Sequence, residues 1–126
     1  MAVSAFSPLN TGKLPIISPE TIKSVVYQSI TTRITEKSII LDWNTSSEFQ
    51  NSHFEVERSA NMKDFKTVAL VWDGFIKEGS GKKYSFKEDN KVLKNRHIVY
   101  YRLKQFDLYG NISYSSVVSV QHARTP

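Results

Sequence analysis

The sequence has no cysteine and no long hydrophobic run, and each absence excludes a class of protein. Without cysteine, disulfides, thiolate metal sites and thiol catalysis are excluded. No apolar run approaches the roughly 18 residues that span a bilayer, so we expect no membrane insertion. A basic stretch followed by an apolar one is not seen near the N-terminus, so the sequence shows no signal peptide. No segment keeps apolar residues at helical spacing, which predicts a low helix content.

Proline is also scarce, and its placement predicts the domain organisation. Three of the four prolines, Pro8, Pro15 and Pro19, lie among the first twenty residues. Proline removes donors from a strand ladder and restricts the residue before it, so we predict that residues 1–20 form a flexible arm or linker. The remaining length fits one hydrophobic core. We therefore predict one β-domain over residues 21–122 and a short tail over residues 123–126.

The charge balance is basic, with 17 Lys and Arg against 12 Asp and Glu and a formal net charge of +5. The basic residues are scattered along the chain, whereas nucleic-acid surfaces usually concentrate them in a stripe. We therefore do not expect nucleic acid as a partner. A nucleic-acid binder stays as an alternative that rests on net charge alone, and DNA binding that falls steeply with salt would reveal it.

No motif of an active site or a metal site is present. The three histidines, His53, His97 and His122, are far apart and have no ligand partner at metal-binding spacing. No serine sits in a G-x-S-x-G elbow. The glycines at Gly79 and Gly81 lack the lysine and helix that complete a phosphate-binding loop. We therefore expect no enzyme activity, no metal and no cofactor.

The strongest local signal is His97 to Gly110 (HIVYYRLKQFDLYG), where β-formers alternate and end in a turn. Six other short runs share its richness in β-branched and aromatic residues and are bounded by polar or turn residues. They are Ile22–Ile34, Ser38–Asn44, His53–Ser59, Phe65–Trp72, Tyr84–Lys87 and Ile112–Gln121. Turn signals about every ten residues predict an all-β, immunoglobulin-like β-sandwich of about seven antiparallel strands.

Polar patterning refines this prediction at two places. In His53–Ser59, Phe54 and Val56 point to the core, whereas Glu55 and Glu57 fall on a solvated face. The preceding stretch, Thr45–Ser52 (TSSEFQNS), shows no apolar periodicity. We therefore predict a polar loop there.

The order of several segments resembles a known family. LDWNTSSE, HFEVERS, YSFKE, YYRLKQFDLYG and YSSVVSV together resemble the fibronectin type III-like modules of Bacteroidetes secreted and surface proteins, which are found upstream of C-terminal sorting domains. The resemblance covers about Ser38 to Val120. It implies a fibronectin type III-like sandwich at an extracellular or cell-surface location. It also implies a non-catalytic spacer, protein-interaction or adhesion role, with neighbouring domains of the parent chain or a surface protein as partners.

The resemblance further implies roles for individual residues. Trp43 corresponds to the central core aromatic, and Tyr101 to a corner tyrosine whose hydroxyl bonds back to the preceding loop above Leu93. Other positions are expected to be structural as inward-facing residues of the sandwich: Phe54, Val56 and Leu103. Four charged residues fall at motif positions and are expected to form an ion-pair or loop-tying network: Glu48, Arg58, Arg102 and Asp107.

One feature favours ligand binding. Four aromatic residues lie at loops or strand ends, where burial is not assured: Trp72, Phe75, Phe106 and Tyr109. Flat aromatic side chains on a sandwich stack on sugar rings or anchor a protein partner. These residues are the candidate ligand platform. With a glycan as partner, the alternative function is a carbohydrate-binding module attached to a polysaccharide-degrading enzyme.

Overall fold

The chain folds into strands joined by short turns. The computed structural model describes residues 24–72, 81–94 and 97–122. The predicted arm, residues 1–20, and the predicted tail, residues 123–126, lie outside the described residues. The strands are β1 (Val25–Ile34), β2 (Ser38–Glu48), β3 (Asn51–Ser59), β4 (Lys66–Trp72), β5 (Lys83–Asp89), β6 (Ile98–Asp107), β7 (Ile112–Tyr114) and β8 (Val118–Gln121). A short 3-10 helix, Asn90–Leu93, follows β5.

The strands form two antiparallel sheets. The three-stranded sheet has the order β1-β2-β5, and the five-stranded sheet has the order β4-β3-β6-β7, with β8 also paired to β6. Aromatic and aliphatic side chains of both sheets meet in one core. The prediction of an all-β sandwich is confirmed. In this sandwich β4 pairs with β3 and extends the larger sheet.

The structure has eight strands because the predicted last strand, Ile112–Gln121, is divided. Ser115 separates β7 from β8, and its N–H donates to the Leu103 carbonyl at 2.9 Å. Its hydroxyl oxygen also accepts from the Leu103 N–H at 2.8 Å, in the place of a backbone carbonyl. The side chain therefore replaces one rung of the ladder, and the chain then pairs with the first half of β6.

Trp43 lies at the centre of the core. Its indole stacks on the Tyr84 ring at 5.3 Å and meets the edge of the Phe54 ring at 5.5 Å. Such aromatic pairs contribute about 0.5–1.5 kcal/mol beyond the burial of their area. The side chains assigned to the core from the sequence are fully buried: Trp43, Phe54, Val56, Tyr101 and Leu103.

The Tyr101 hydroxyl on β6 bonds to a carboxylate of the opposite sheet. It donates to Glu88 Oε2 at 2.5 Å, and Arg58 Nη1 donates to Glu88 Oε1 at 2.6 Å. The acceptor is therefore a carboxylate on β5, not the preceding loop as the resemblance implied. Burial, and then the bond to Glu88, raise the pKa of Tyr101 above its ordinary value. Leu93, in the 3-10 helix, is buried in the same core.

The predicted polar loop Thr45–Ser52 is wrong. β2 continues to Glu48, and β3 begins at Asn51, so only Phe49 and Gln50 connect the strands. Gln50 adopts a φ of 53°, which turns the chain within two residues. The polar side chains of this stretch find partners inside the protein, so they do not end the strand.

Candidate functional site

The outer face of the five-stranded sheet carries four large apolar side chains that are open to solvent. Trp72 is 62% exposed, Tyr114 51%, Ile112 48% and Leu70 47%. They lie on β4 and β7, which flank β3 and β6. Residues opposite each other on paired strands share a face of the sheet, so the register adds β3 and β6 residues to this surface. We call it the aromatic face, and its members are His53, Glu55, Phe65, Leu70, Trp72, Arg102, Lys104, Phe106, Ile112 and Tyr114.

Three rings form a stack across three strands of the aromatic face. His53 lies opposite both Trp72 and Phe106 in the register. Its imidazole is 4.7 Å from the Trp72 ring at 46°, and 4.4 Å from the Phe106 ring at 11°. Ser52 Oγ lies 2.9 Å from His53 Nδ1 and orients the imidazole. The His53 and Phe106 rings therefore stack face to face, whereas the Trp72 ring is tilted against the imidazole.

A second stack has a cation at its centre. The Arg102 guanidinium carbon is 4.0 Å from the Phe65 ring centre and 4.3 Å from the Tyr114 ring centre. Its Nε donates to Glu57 Oε1 at 2.7 Å. Cation–π contacts contribute about 0.5–2 kcal/mol, more as the cation is desolvated.

The prediction that Glu57 faces solvent is wrong, because Arg102 lies against its carboxylate and Glu57 is buried.

The two stacks fix the conformation of the aromatic face before any partner binds. Ordering a side chain on binding costs about 0.5–1.5 kcal/mol for each one immobilised. Here neighbours in the sheet already constrain His53, Phe106 and Arg102. A partner that docked on this face would therefore order fewer side chains than on a face without these contacts.

The predicted ligand platform is brought together only in part. Trp72 and Phe106 share the aromatic face, and His53 lies between them. Tyr109 lies in the turn between β6 and β7, where its hydroxyl accepts from Gln50 Nε2 at 3.4 Å. Phe75 lies outside the described residues. His53 was not predicted as part of the platform. Its position two residues before Glu55 in HFEVERS indicates the outer side of its strand, but it does not indicate that Trp72 is its neighbour.

The four charged residues expected to form a network lie at four separate places in the structure. Glu48 is buried between the sheets, and its carboxylate accepts from the hydroxyls of Tyr84 at 2.8 Å and Thr45 at 2.6 Å. The Asn51 amide donates to it at 3.1 Å. Burial, and then the charge of Glu48, raise the pKa of Tyr27 above its ordinary value. Glu48 thus joins β2, β3 and β5.

Asp107 closes the turn that precedes β7. Its Oδ1 accepts from the N–H groups of Tyr109 at 2.8 Å and Asn111 at 2.9 Å, and its Oδ2 accepts from Asn111 Nδ2 at 2.9 Å. Desolvation acts to raise the pKa of this carboxyl, but the bonds from Asn111, Tyr109 and Gly110 outweigh it and lower the pKa. Glu48, Arg58, Arg102 and Asp107 thus do not bond to one another, although Asp107 ties its loop and both arginines form ion pairs. Arg58 pairs with Glu88, and Arg102 with Glu57.

Within residues 24–72, 81–94 and 97–122, no group of three or more His, Asp or Glu is placed to hold a metal ion. Over the same residues, no helix has the length and apolar character needed to cross a membrane.

Comparison with known proteins bears on the fold. No family model matches the chain, and no curated protein matches it. Among solved structures the chain is similar to wild-type OgpA from Akkermansia muciniphila, with a TM-score of 0.59 and 16% sequence identity. The alignment covers 77% of this chain and 27% of OgpA, so the chain spans about a quarter of that protein's length. At this identity the likeness shows a shared β-sandwich fold and nothing about activity.

Proposed function

We propose that this chain is a non-catalytic β-sandwich module of a larger secreted or cell-surface protein, acting as a spacer or as a protein-interaction or adhesion domain. The aromatic face is the contact surface in this proposal. The observation that carries it is the exposure of Trp72, Tyr114, Ile112 and Leu70 on one face. Exposed large apolar side chains gathered on one face are typical of interaction sites.

The residue types of the aromatic face support a protein partner. Tryptophan, tyrosine and arginine are the residues most often found at interface hot spots. Here Trp72, Tyr114 and Arg102 all belong to the face, and two of them are held in the cation–π stack. Because the ordering cost is small, such a face binds with a larger net free energy than the same side chains would if they were free.

The charges of the aromatic face also favour a largely apolar partner surface. Arg102 and Glu57 neutralise each other in an ion pair. Lys104 lies over the Phe106 ring at 5.4 Å, and the Glu55 carboxylate accepts from the Thr67 hydroxyl at 3.0 Å. One carboxylate and one ammonium group therefore remain at the middle of the face. The face as a whole therefore carries little net charge, and a partner surface of low net charge complements it.

A carbohydrate-binding module is the second candidate, and the exposure of Trp72 favours it. A sugar ring stacks on an open aromatic face. In the first stack Phe106 turns one ring face toward His53, whereas the tilted Trp72 ring keeps more of its surface open. Glycan-array binding that disappears in Trp72→Ala would support the carbohydrate candidate. Array binding that Trp72→Ala does not change would exclude this face as the sugar site.

The interaction proposal is tested by site-specific photo-crosslinking of the protein in the cells that produce it. A photoreactive amino acid replaces Leu70 or Ile112 on the aromatic face. The matched control replaces Ser85, which is exposed on β5 of the three-stranded sheet. We expect protein adducts by mass spectrometry from the first two positions and none from Ser85. Adducts from all three positions alike, or from none, would refute a contact role for the aromatic face.

A further inference from the structure

The edge strands of the two sheets differ in how they are protected. β1 and β8 lie side by side at one edge of the sandwich, where the Thr32 hydroxyl donates to the Ser119 carbonyl at 2.7 Å. β5 carries charged side chains along its edge, among them Lys83, Lys87 and Asp89. Charged residues, especially lysine, discourage the addition of another strand. β7 is only three residues long.

β4 lacks this protection. It pairs with β3 and with no other strand among the described residues. From Thr67 to Trp72 (TVALVW) it has no charge, no proline and no glycine. An edge strand with free backbone donors and acceptors and high β-propensity is a template for a further strand.

A β-bulge limits the stretch of β4 that could pair regularly with a further strand. Ala69 lies opposite Val56, whereas Thr67 lies opposite Glu57, so Val68 is an extra residue on the edge strand. Bulges increase the local twist and interrupt pairing. The regular edge therefore runs over Ala69–Trp72. Its outward side chains, Leu70 and Trp72, belong to the aromatic face.

We propose that the β4 edge binds an extended segment of a partner protein, which adds to the sheet as an antiparallel strand. This inference rests on the proposed function and names the class of partner. The main-chain hydrogen bonds of such strand addition supply affinity, and alternate side chains supply specificity. The outward side chains of the added strand would lie beside Leu70 and Trp72, so one segment engages the edge and the aromatic face together.

The size of the edge argues for a segment and not for a second copy of the chain. Four residues of strand span about 13 Å. Two copies that paired over this length would bury far less than the roughly 1,200 Å² found in stable protein interfaces. A flexible segment needs no such area, because it wraps both the edge and the neighbouring face.

For an antiparallel segment, charge then sets which end is acidic. Lys63 and Lys66 are exposed at the beginning of β4, and neither forms an ion pair within the described part of the chain. The C-terminal end of an antiparallel added strand lies beside this end of β4. The segment is therefore an uncharged, β-branched stretch that ends in Asp or Glu.

The proposal is tested by NMR with a synthetic peptide of alternating threonine and valine that ends in aspartate and glutamate. Titration into the isotope-labelled chain should slow amide hydrogen exchange by about tenfold or more at saturation in those alternate residues of 69–72 whose N–H groups point away from β3. The control peptide carries N-methyl groups on alternate backbone nitrogens, which removes strand donors and keeps the side chains. We expect the control peptide to leave these exchange rates unchanged.

Two variants of matched exposure separate the edge from the face. Leu70→Lys places a charge on the β4 edge, whereas Ile112→Lys places it on β7, at the other side of the same face. We expect only Leu70→Lys to abolish the protection of residues 69–72. If Leu70→Lys does not fold, Trp72→Lys takes its place.

Three outcomes would overturn the edge proposal: no protection at millimolar peptide, equal loss in both variants, or protection that grows with protein concentration without peptide. The last outcome identifies a second copy as the occupant. Crosslinks from Leu70 and Ile112 that persist when the peptide fails would leave the proposed function standing. Loss of both results would remove the proposed function as well.

Discussion

The two outer faces of the sandwich present opposite chemistry. On the three-stranded sheet the apolar residue Ile40 lies opposite Arg33 on β1 and Lys87 on β5, and it is buried. Arg33 also pairs with Asp42 at the surface. Long cationic side chains cover apolar surface with their stems while their charges stay in water. The aromatic face leaves Trp72, Leu70 and the β7 side chains uncovered.

This difference shows that the fold does not require exposed apolar residues. Both sheets share one core, and the outer face of the smaller sheet is mostly polar or charged. The ion pairs of the two faces also differ, in the exposure of their side chains. Arg33–Asp42 has side chains 60% and 35% exposed, whereas Arg102–Glu57 has side chains 28% and 8% exposed. The aromatic face is thus built from constrained groups, and the polar face from solvated ones.

The largest expected effect compares a tryptophan of the shared core with a tryptophan of the aromatic face. Trp43→Ala removes the indole that packs on Tyr84 and Phe54, so we expect unfolding free energy to fall by about 3–5 kcal/mol. Trp72→Ala is the matched control on the aromatic face, and its cost should stay below about 1 kcal/mol. Chemical denaturation measures both. Similar costs for the two tryptophans would contradict the division between core and face.

The next effect compares the two arginines. Arg102→Ala leaves the buried Glu57 carboxylate without its partner, so we expect a loss of about 2–3 kcal/mol. Arg33→Ala breaks a solvated pair and should cost about 0.5 kcal/mol or less. Denaturation midpoints in urea decide between them. Equal losses would mean that the aromatic face is no more constrained than the polar one.

A smaller effect separates two buried tyrosines beneath the faces. Tyr101→Phe removes the bond to Glu88 and should cost about 1 kcal/mol. The Tyr27 hydroxyl is buried without a hydrogen-bond partner in the described structure, so Tyr27→Phe should be neutral or stabilising. Thermal melting of both variants provides the measurement. A larger loss in Tyr27→Phe would show that its hydroxyl is bonded.

The same tyrosines predict the alkaline limit of stability. Burial raises both pKa values in the folded state, whereas an unfolded tyrosine ionises near pH 10. Their contribution is therefore complete below pH 10 and is lost as the pH rises above it, by about 1.4 kcal/mol per pH unit for each tyrosine. Replacing either with phenylalanine should reduce this slope. An unchanged slope in both variants would assign the alkaline loss to other groups.

The smallest effect concerns the turn beside the aromatic face. The pKa of Asp107 is lower in the folded chain than in the unfolded one, so its contribution is present above about pH 4 and lost as the pH falls through the folded value. Because this carboxylate is solvent-screened, we expect less than about 0.5 kcal/mol. Asp107→Ala should remove that part of the acid sensitivity. The difference between the two melting curves at pH 3 and pH 6 measures it.

The sandwich could be predicted from the sequence because its core follows a local rule. Alternation in YYRLKQ and HFEVERS assigns Tyr101, Leu103, Phe54 and Val56 to the core without knowledge of the partners. Turn residues then separate the strands. A pattern with period two needs only neighbouring residues to be interpreted.

The polar stretch Thr45–Ser52 could not be predicted in the same way. Whether Glu48 ends a strand or continues it depends on Tyr84, which is 36 residues away. Likewise, Glu57 is buried only because Arg102, 45 residues away, lies against it. A polar side chain is buried where distant partners satisfy its hydrogen bonds, and a sequence pattern does not contain those partners.

Some residues of the candidate site could be predicted from the sequence, but their arrangement could not. Exposed aromatics at strand ends pointed to Trp72 and Phe106. The His53 ring between them, and the Arg102 stack with Phe65 and Tyr114, depend on the register of four strands. Register fixes which side chains are neighbours, and a one-residue slip would reverse every face.

The chain enters and leaves the described sandwich at opposite ends. Ser24 accepts a backbone bond from Phe49 beside the turn between β2 and β3, whereas His122 bonds to His97 at the far end of β6. Tension applied through these two points would run along the strands. Ladder bonds lie perpendicular to the strands, so this load would shear many of them at once and not peel them one by one. The geometry thus predicts that the block resists extension along its length, as the proposed spacer role would require.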